Sequence, residues 1–146
     1  MNSKTAPFIA GFIATIVLSL LMLIKSSMGI MPNLNVIKML AGQMNAPLVA
    51  GWIAHFVIGV IAYGVAFILL TKLFTDKRPI LLGTLLGIIG WLVMMVALMP
   101  MMGFGAFAVG MEAGPKPAIA TLVLHLIFGF VLGYSVCKLT ANKQSE

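Results

Sequence analysis

Residues 47–71 read PLVAGWIAHFVIGVIAYGVAFILLT, a proline followed by an apolar run that holds one histidine, His55, and no charged residue. An α-helix rises about 1.5 Å per residue, so about 20 apolar residues cross the ~30 Å hydrocarbon core of a bilayer. The run is therefore predicted to be a membrane-spanning helix.

Three further runs of the same kind lie on either side of it. They occupy residues 7–24, 80–98 and 118–137, and the whole chain is 62% hydrophobic and only 8% charged. A water-soluble domain needs more charged surface than that. We expect an all-α membrane protein, a four-transmembrane-helix bundle that forms a single membrane domain over residues 1–146. The first run also resembles a signal peptide, but its length and its place in the repeat described below favour a retained span.

Basic residues set the expected orientation. Six lie on one side of the four spans: Lys4, Lys72, Lys77, Arg78, Lys138 and Lys143. Three lie on the other: Lys25, Lys38 and Lys116. Because cytoplasmic loops carry the excess of Lys and Arg, both termini are predicted to be cytoplasmic. The net charge of +6 is thus interpreted as a topology signal, with membrane lipid as the surroundings and no nucleic acid as a partner.

The sequence also contains an internal repeat. A shift of 72 residues aligns Pro7 with Pro79 and Gly11 with Gly83, and a shift of 70 then aligns Pro47, His55 and Gly59 with Pro117, His125 and Gly129. The two histidines of the chain fall on one aligned position. We therefore predict two tandem parallel helical-hairpin repeats, 7–74 and 79–141, related by a pseudo-twofold axis along the membrane normal.

The same residues carry a family resemblance. The string Met39-x-Ala41-Gly42, then Pro47 and Gly51-Trp52-x-x-His55-Phe56-x-x-Gly59, is echoed by Leu124-His125-Leu126-x-x-Gly129-x-x-x-Gly133. Over nearly its whole length the chain resembles a family of small bacterial four-span membrane proteins classed as a domain of unknown function. The resemblance implies the four-span fold and a place in the bacterial inner (cytoplasmic) membrane, and it implies no activity.

The two long connections, residues 25–46 and 99–117, are rich in Met, Gly and Pro. In the first, apolar residues surround Lys38 in a pattern that predicts a short helix at the membrane interface. Both segments are expected to pack as lids over one end of the bundle. Their methionines suit either Cu(I) binding or ordinary apolar packing, and packing is the commoner use of Met.

His55 and His125 are the candidate site. Each follows the proline that opens its helix at the same spacing, so both are expected at one depth in the membrane, about 12 Å below the helix end. An ionisable side chain at such depth is a functional-site hypothesis by default. We predict a metal centre in which both histidines ligate haem b, with Gly59 and Gly129 leaving a slot for the porphyrin and Lys38 or Lys116 near the propionates.

These expectations predict a small membrane b-type cytochrome that passes electrons to or from a quinone or a redox protein. The alternative is a non-catalytic membrane subunit or assembly and interaction protein, in which the histidines are structural or bind another metal. The only acids are Asp76, Glu112 and Glu146, all outside the spans, and the chain has no Ser-His-acid set and no HExxH string. No catalytic residue is predicted, and enzymatic activity and homo-oligomer formation are left open.

Overall fold

The computed structural model describes residues 5–31, 34–74, 78–111 and 115–141, and these ranges hold no β-strand. Its four long helices are α1 (Ala6–Ser27), α3 (Leu48–Leu73), α4 (Pro79–Met101) and α5 (Lys116–Ala141). All four are long and apolar enough to cross a membrane. The predicted all-α, four-span architecture is therefore confirmed.

Prolines set where the long helices begin. Pro7 and Pro79 lie in the first turns of α1 and α4, and Pro47 is the residue immediately before α3. Proline lacks an N–H group, which the first turn of a helix does not need, and its fixed φ suits that position. Each helix extends a few residues beyond the apolar run from which it was predicted.

The predicted short helix is present as α2, Val36–Gln43. The Asn35 side chain caps it by accepting a hydrogen bond from the Lys38 amide at 3.0 Å. We call the segment between α1 and α3, residues 28–47, lid one, and the segment between α4 and α5, residues 102–115, lid two. In its described part, residues 102–111 and 115, lid two holds a single 3₁₀ turn, Ala106–Ala108, so the described parts of the two lids differ in structure.

Glycines fix how the long helices pair. A methyl group on Gly11 of α1 would lie 2.6 Å from the Gly59 carbonyl oxygen of α3. One on Gly83 of α4 would overlap the Gly129 carbonyl oxygen of α5 and lie 2.7 Å from Gly133 Cα. Each hairpin therefore closes by backbone approach that any larger residue would prevent.

The two hairpins meet around an aromatic contact. Tyr63 of α3 and Phe128 of α5 place their ring centroids 4.6 Å apart, and the Tyr63 hydroxyl lies where a side chain at Gly90 would be. α1 also packs along α5. Eight buried side chains form this core: Ala10, Ala14, Phe67, Leu82, Leu86, Phe128, Leu132 and Val136.

A second cluster lies at the end of the bundle that carries the lids. Met94, Met95 and Met99 of α4 are buried there against Ala108 of lid two. Val36 and Met39 of lid one pack on the same cluster. Lid one thus crosses from its own hairpin to the other, which ties the hairpins together at this end.

Two helices contain π-helical turns, at Val57–Ala62 in α3 and Met94–Leu98 in α4. Wider turns of this kind are uncommon and often lie near functional groups. The first begins two residues after His55 and includes Gly59. Its wider turn rotates the side chains of the half of α3 predicted to be cytoplasmic about the helix axis, relative to His55.

Some predicted features fall outside the described residues. They are the topology residues Lys4, Lys77 and Lys143 and the three acids Asp76, Glu112 and Glu146.

Candidate functional site

His55 is buried on the face of α3 that meets α1. Its Nε2 atom lies 3.2 Å from Ser19 Oγ. The Ser19 hydroxyl in turn donates to the Thr15 carbonyl oxygen at 2.7 Å. A hydroxyl has one proton, so when Ser19 donates to Thr15 it accepts from His55 Nε2–H. His55 therefore joins α3 to α1 through a side-chain bond inside the bundle.

The rest of the His55 environment is aromatic. The rings of Trp52 and Phe56, its neighbours on α3, have centroids 6.1 and 5.9 Å from the imidazole and meet it edge to face. Phe56 packs in turn on Phe12 of α1 at 5.9 Å. The imidazole thus has one polar partner, Ser19, in otherwise apolar surroundings.

His125 is bound differently. It is half-buried, and its Nδ1–H donates to the Thr121 carbonyl oxygen of its own helix at 2.8 Å. That bond fixes the tautomer and the ring orientation and leaves the Nε2 lone pair as the acceptor. Metal-ligating histidines generally donate their second ring N–H to such a carbonyl. His125 has the geometry of a ligand, whereas the Nε2 atom of His55 is bonded to Ser19.

The two glycines of the predicted site face neighbouring helices. The space where Gly59 would carry a side chain is filled by the Thr15 side chain. The space at Gly129 is filled by the Gly83 carbonyl and the Thr84 backbone. These positions serve helix contact, and in this arrangement they leave no slot for a porphyrin, so the four residues do not fit haem b as placed. Haem binding stays a prediction.

Neither histidine is hydrogen bonded to the other: His55 bonds to α1 and His125 within α5. Over residues 5–31, 34–74, 78–111 and 115–141, no group of three or more His, Cys, Asp or Glu side chains is placed to hold a metal ion. Lys38 and Lys116, the predicted propionate partners, are both exposed.

The methionines of the two connections predicted as lids, residues 25–46 and 99–117, do not share one environment. Met99 is fully buried, while Met28 and Met101 are each about two-thirds exposed, at 66% and 67%. Met39, Met102 and Met111 pack on the buried cluster at the lid end. This mixture matches the packing interpretation of the lids.

Ser19 is the site residue that the sequence interpretation missed. It and Thr15 are two polar residues in an otherwise apolar run, four positions apart and so on one face of the helix. That spacing is the signal that could have indicated a polar partner for His55. The repeat register aligns Ser19 with Trp91, whose indole N–H donates to the Ala118 carbonyl at 3.0 Å.

Two cavities lie at the lid end. One, of about 520 Å³, is lined by Trp91, Phe107 and Leu122 among other apolar residues of the second hairpin. The other, of about 170 Å³, lies in the first hairpin and is lined in part by Lys25, Asn35 and Trp52. Only the smaller cavity has a charged residue among its described lining.

No curated protein and no solved structure matches the chain. One family model does, over residues 1–146, and its description is a family of unknown function, DUF6789. The resemblance to an unknown-function family is therefore confirmed, and the chain belongs to the DUF6789 family.

Proposed function

We propose that this chain is a non-catalytic membrane protein, a subunit or assembly factor whose histidines and glycines hold its helices together and whose lids meet a partner. The observation that carries the proposal is the bond from buried His55 to Ser19. A polar side chain inside a membrane bundle is costly unless it is paired, and here the pairing joins two helices. The filled spaces at Gly59 and Gly129 support the same role.

A second candidate is the small membrane b-type cytochrome, with electron exchange to a quinone or a redox protein. One observation favours it: the Nδ1–H bond from His125 to Thr121 presents Nε2 as an oriented ligand atom. Haem, when bound, would supply one-electron chemistry. For His55 to take part, it would have to give up its bond to Ser19.

The visible spectrum separates the two candidates. The protein is purified in mild detergent from cells supplied with haemin, and spectra are recorded before and after dithionite. The structural role predicts a colourless protein whose unfolding temperature falls in His55→Ala and in Ser19→Ala. A Soret band with sharp reduced bands that disappears in both His55→Ala and His125→Ala would overturn it in favour of the cytochrome. Ser19→Ala is the control because it leaves both imidazoles in place.

We also propose that the four helices lie in a bacterial cytoplasmic membrane with both termini in the cytoplasm. The excess of basic residues on one side supports this orientation, with six there (Lys4, Lys72, Lys77, Arg78, Lys138 and Lys143) against three on the other (Lys25, Lys38 and Lys116). Fusions of a reporter that is active only in the periplasm should be silent at the C-terminus and active when inserted in lid two. The opposite pattern would reverse the orientation.

The tandem repeat belongs to the same proposal. The aligned glycine pairs Gly11 with Gly59 and Gly83 with Gly129 make corresponding contacts, each with a glycine of the first helix against the carbonyl of a glycine in the second. The similarity of these two glycine contacts supports the repeat register predicted from the sequence.

A further inference from the structure

The smaller cavity at the lid end combines a cation with apolar walls. It lies between the last turn of α1, lid one and the first turns of α3, with Lys25, Ser26 and Asn35 as its polar lining. Leu34, Leu48 and Trp52 supply apolar lining. Lys25 is the third-last residue of a membrane-spanning helix, so the cavity lies where the hydrocarbon gives way to lipid headgroups.

Lys25 is held in this cavity by the backbone of lid one. Its ammonium donates to the Leu34 carbonyl at 2.6 Å and the Met31 carbonyl at 3.1 Å. These neutral acceptors leave its positive charge in place, and none of the residues that the structure describes is acidic. An ammonium has three N–H donors, so this geometry fixes the charge at the cavity and does not use all of its donors.

Asn35 adds further donors on the lid side. Its side-chain oxygen is used by the cap of α2, where it accepts from the Lys38 amide at 3.0 Å. The amide NH₂ group is therefore the part of Asn35 available to a ligand. A fixed cation, amide and hydroxyl donors, and an indole at the membrane interface together form an environment for an anionic, acceptor-rich group with an apolar continuation.

We propose that this cavity binds the phosphodiester headgroup of an anionic membrane lipid, with Lys25 as the charge partner and the acyl chains running out along α1 and α3. The volume of about 170 Å³ is below the usual range of cavities that enclose whole ligands, and it suits a headgroup whose chains stay in the bilayer. The exposed apolar side chains of Leu23 and Leu48 continue the path toward lipid.

The second hairpin supplies an internal contrast. In the predicted repeat register, Asn35 aligns with Phe107, Trp52 with Leu122 and Lys25 with Ala97. Phe107 and Leu122 line the larger cavity, which has no charged residue among its described lining. The larger cavity should therefore contact lipid without preference for headgroup charge. It serves as the control site within the same molecule.

The two tryptophans of the chain report on the two cavities separately, because Trp52 lines one and Trp91 the other. The protein is reconstituted with brominated phosphatidylglycerol or brominated phosphatidylcholine, which quench nearby tryptophan fluorescence. In Trp91→Phe, where Trp52 is the reporter, we expect about fivefold stronger association of the anionic lipid, the effect of one lysine charge near a membrane surface. In Trp52→Phe, both lipids should quench Trp91 equally.

Two lysine variants test the assignment to Lys25. In Lys25→Met the preference at Trp52 should disappear while quenching by phosphatidylcholine stays unchanged, which shows that the cavity is intact. In the matched control Lys38→Met, which removes an exposed lysine of the same lid, the preference should remain. Equal quenching of Trp52 by both lipids, or an equal loss of preference in both lysine variants, would overturn the proposal.

A measurement without tryptophan substitution guards against misfolded variants. The unaltered chain, labelled with 5-fluorotryptophan, gives one ¹⁹F resonance for each cavity. Phosphatidylglycerol should shift one resonance, and inorganic phosphate should shift neither. A shift produced by inorganic phosphate alone would mean a site for free anions and would overturn the lipid assignment. The proposal does not depend on the histidines, so the haem experiment and this one fail independently.

Discussion

The two histidines align in the predicted repeat register, and the two hairpins bond them in different ways. In the hairpin of α1 and α3, His55 reaches across to Ser19 of the other helix, and Thr15 fills the space beside Gly59. In the hairpin of α4 and α5, His125 bonds within its own helix, and glycines bring the two backbones into contact. Both hairpins close by backbone approach, and the first adds a side-chain hydrogen bond between its helices.

The difference follows from two aligned positions on the first helix of each hairpin. Thr15 aligns with Gly87, and Ser19 aligns with Trp91. Gly87 lets the α5 backbone come close, since its missing side chain would overlap the His125 carbonyl. Trp91 has no hydroxyl, and its one N–H group donates to the Ala118 carbonyl instead of to His125. The second hairpin thus has a histidine at the aligned position but not the serine that bonds to it in the first hairpin.

The largest effect is expected at the backbone contact of the second hairpin. Gly83→Ala places a methyl group against the backbone of Gly129 and Gly133, which cannot rotate away. We expect a loss of about 1–3 kcal/mol in the free energy of unfolding, measured by denaturant titration in detergent. Gly42→Ala is the matched control, because nothing lies within 4 Å of that position and alanine favours a helix. Equal losses in both variants would contradict the backbone-contact role.

Gly59, which aligns with Gly129 in the predicted repeat register, should be easier to rescue. Gly59→Ala collides with the Thr15 side chain, so we expect a loss of about 1–2 kcal/mol. Adding Thr15→Ala removes the colliding atoms and should recover part of that loss in the same unfolding assay. If the double variant is no more stable than Gly59→Ala alone, the Thr15 side chain is not what excludes a methyl group at this position.

A smaller effect is expected from the His55 to Ser19 bond. A double-mutant cycle with His55→Ala and Ser19→Ala should give a coupling of about 0.6 kcal/mol, with an upper range near 1.7, as side-chain bonds between membrane helices do. The aligned pair His125→Ala and Trp91→Phe should couple less, because each side chain bonds to a different carbonyl. Similar coupling energies in both cycles would contradict the claim that only the first hairpin has a side-chain bond to its histidine from the other helix.

The smallest effect on global stability is expected at lid one, because the change there is local. Lys25→Met removes two hydrogen bonds to lid carbonyls, in a position where the second hairpin has Ala97. We expect faster amide hydrogen exchange across residues 34–43, with a local cost of about 1 kcal/mol. Lys38→Met should leave that exchange unchanged, since Lys38 is exposed and its amide bond to Asn35 does not involve its side chain. Unchanged exchange in Lys25→Met would show that the lid is held by α2 alone.

The sequence by itself determined the four spans, their approximate ends and the short helix of lid one. These predictions rest on local properties: the length of each apolar run relative to the bilayer, prolines at helix starts and the amphipathic pattern around Lys38. Residues 48–71 therefore predict a helix independently of their tertiary surroundings. The unknown-function family was also recognisable from the strings around His55 and His125.

Only the tertiary structure decided what each histidine and glycine contacts. The sequence predicts one depth for His55 and His125, but the partner of an imidazole depends on which side chain the neighbouring helix presents. In one hairpin that side chain is Ser19, whereas His125 bonds to a carbonyl of its own helix. The sequence likewise could not decide whether a small residue opens a slot or admits another helix. Gly59 and Gly129 each admit a neighbouring helix. The sequence of one helix cannot show this, because close approach depends on the surfaces of both helices.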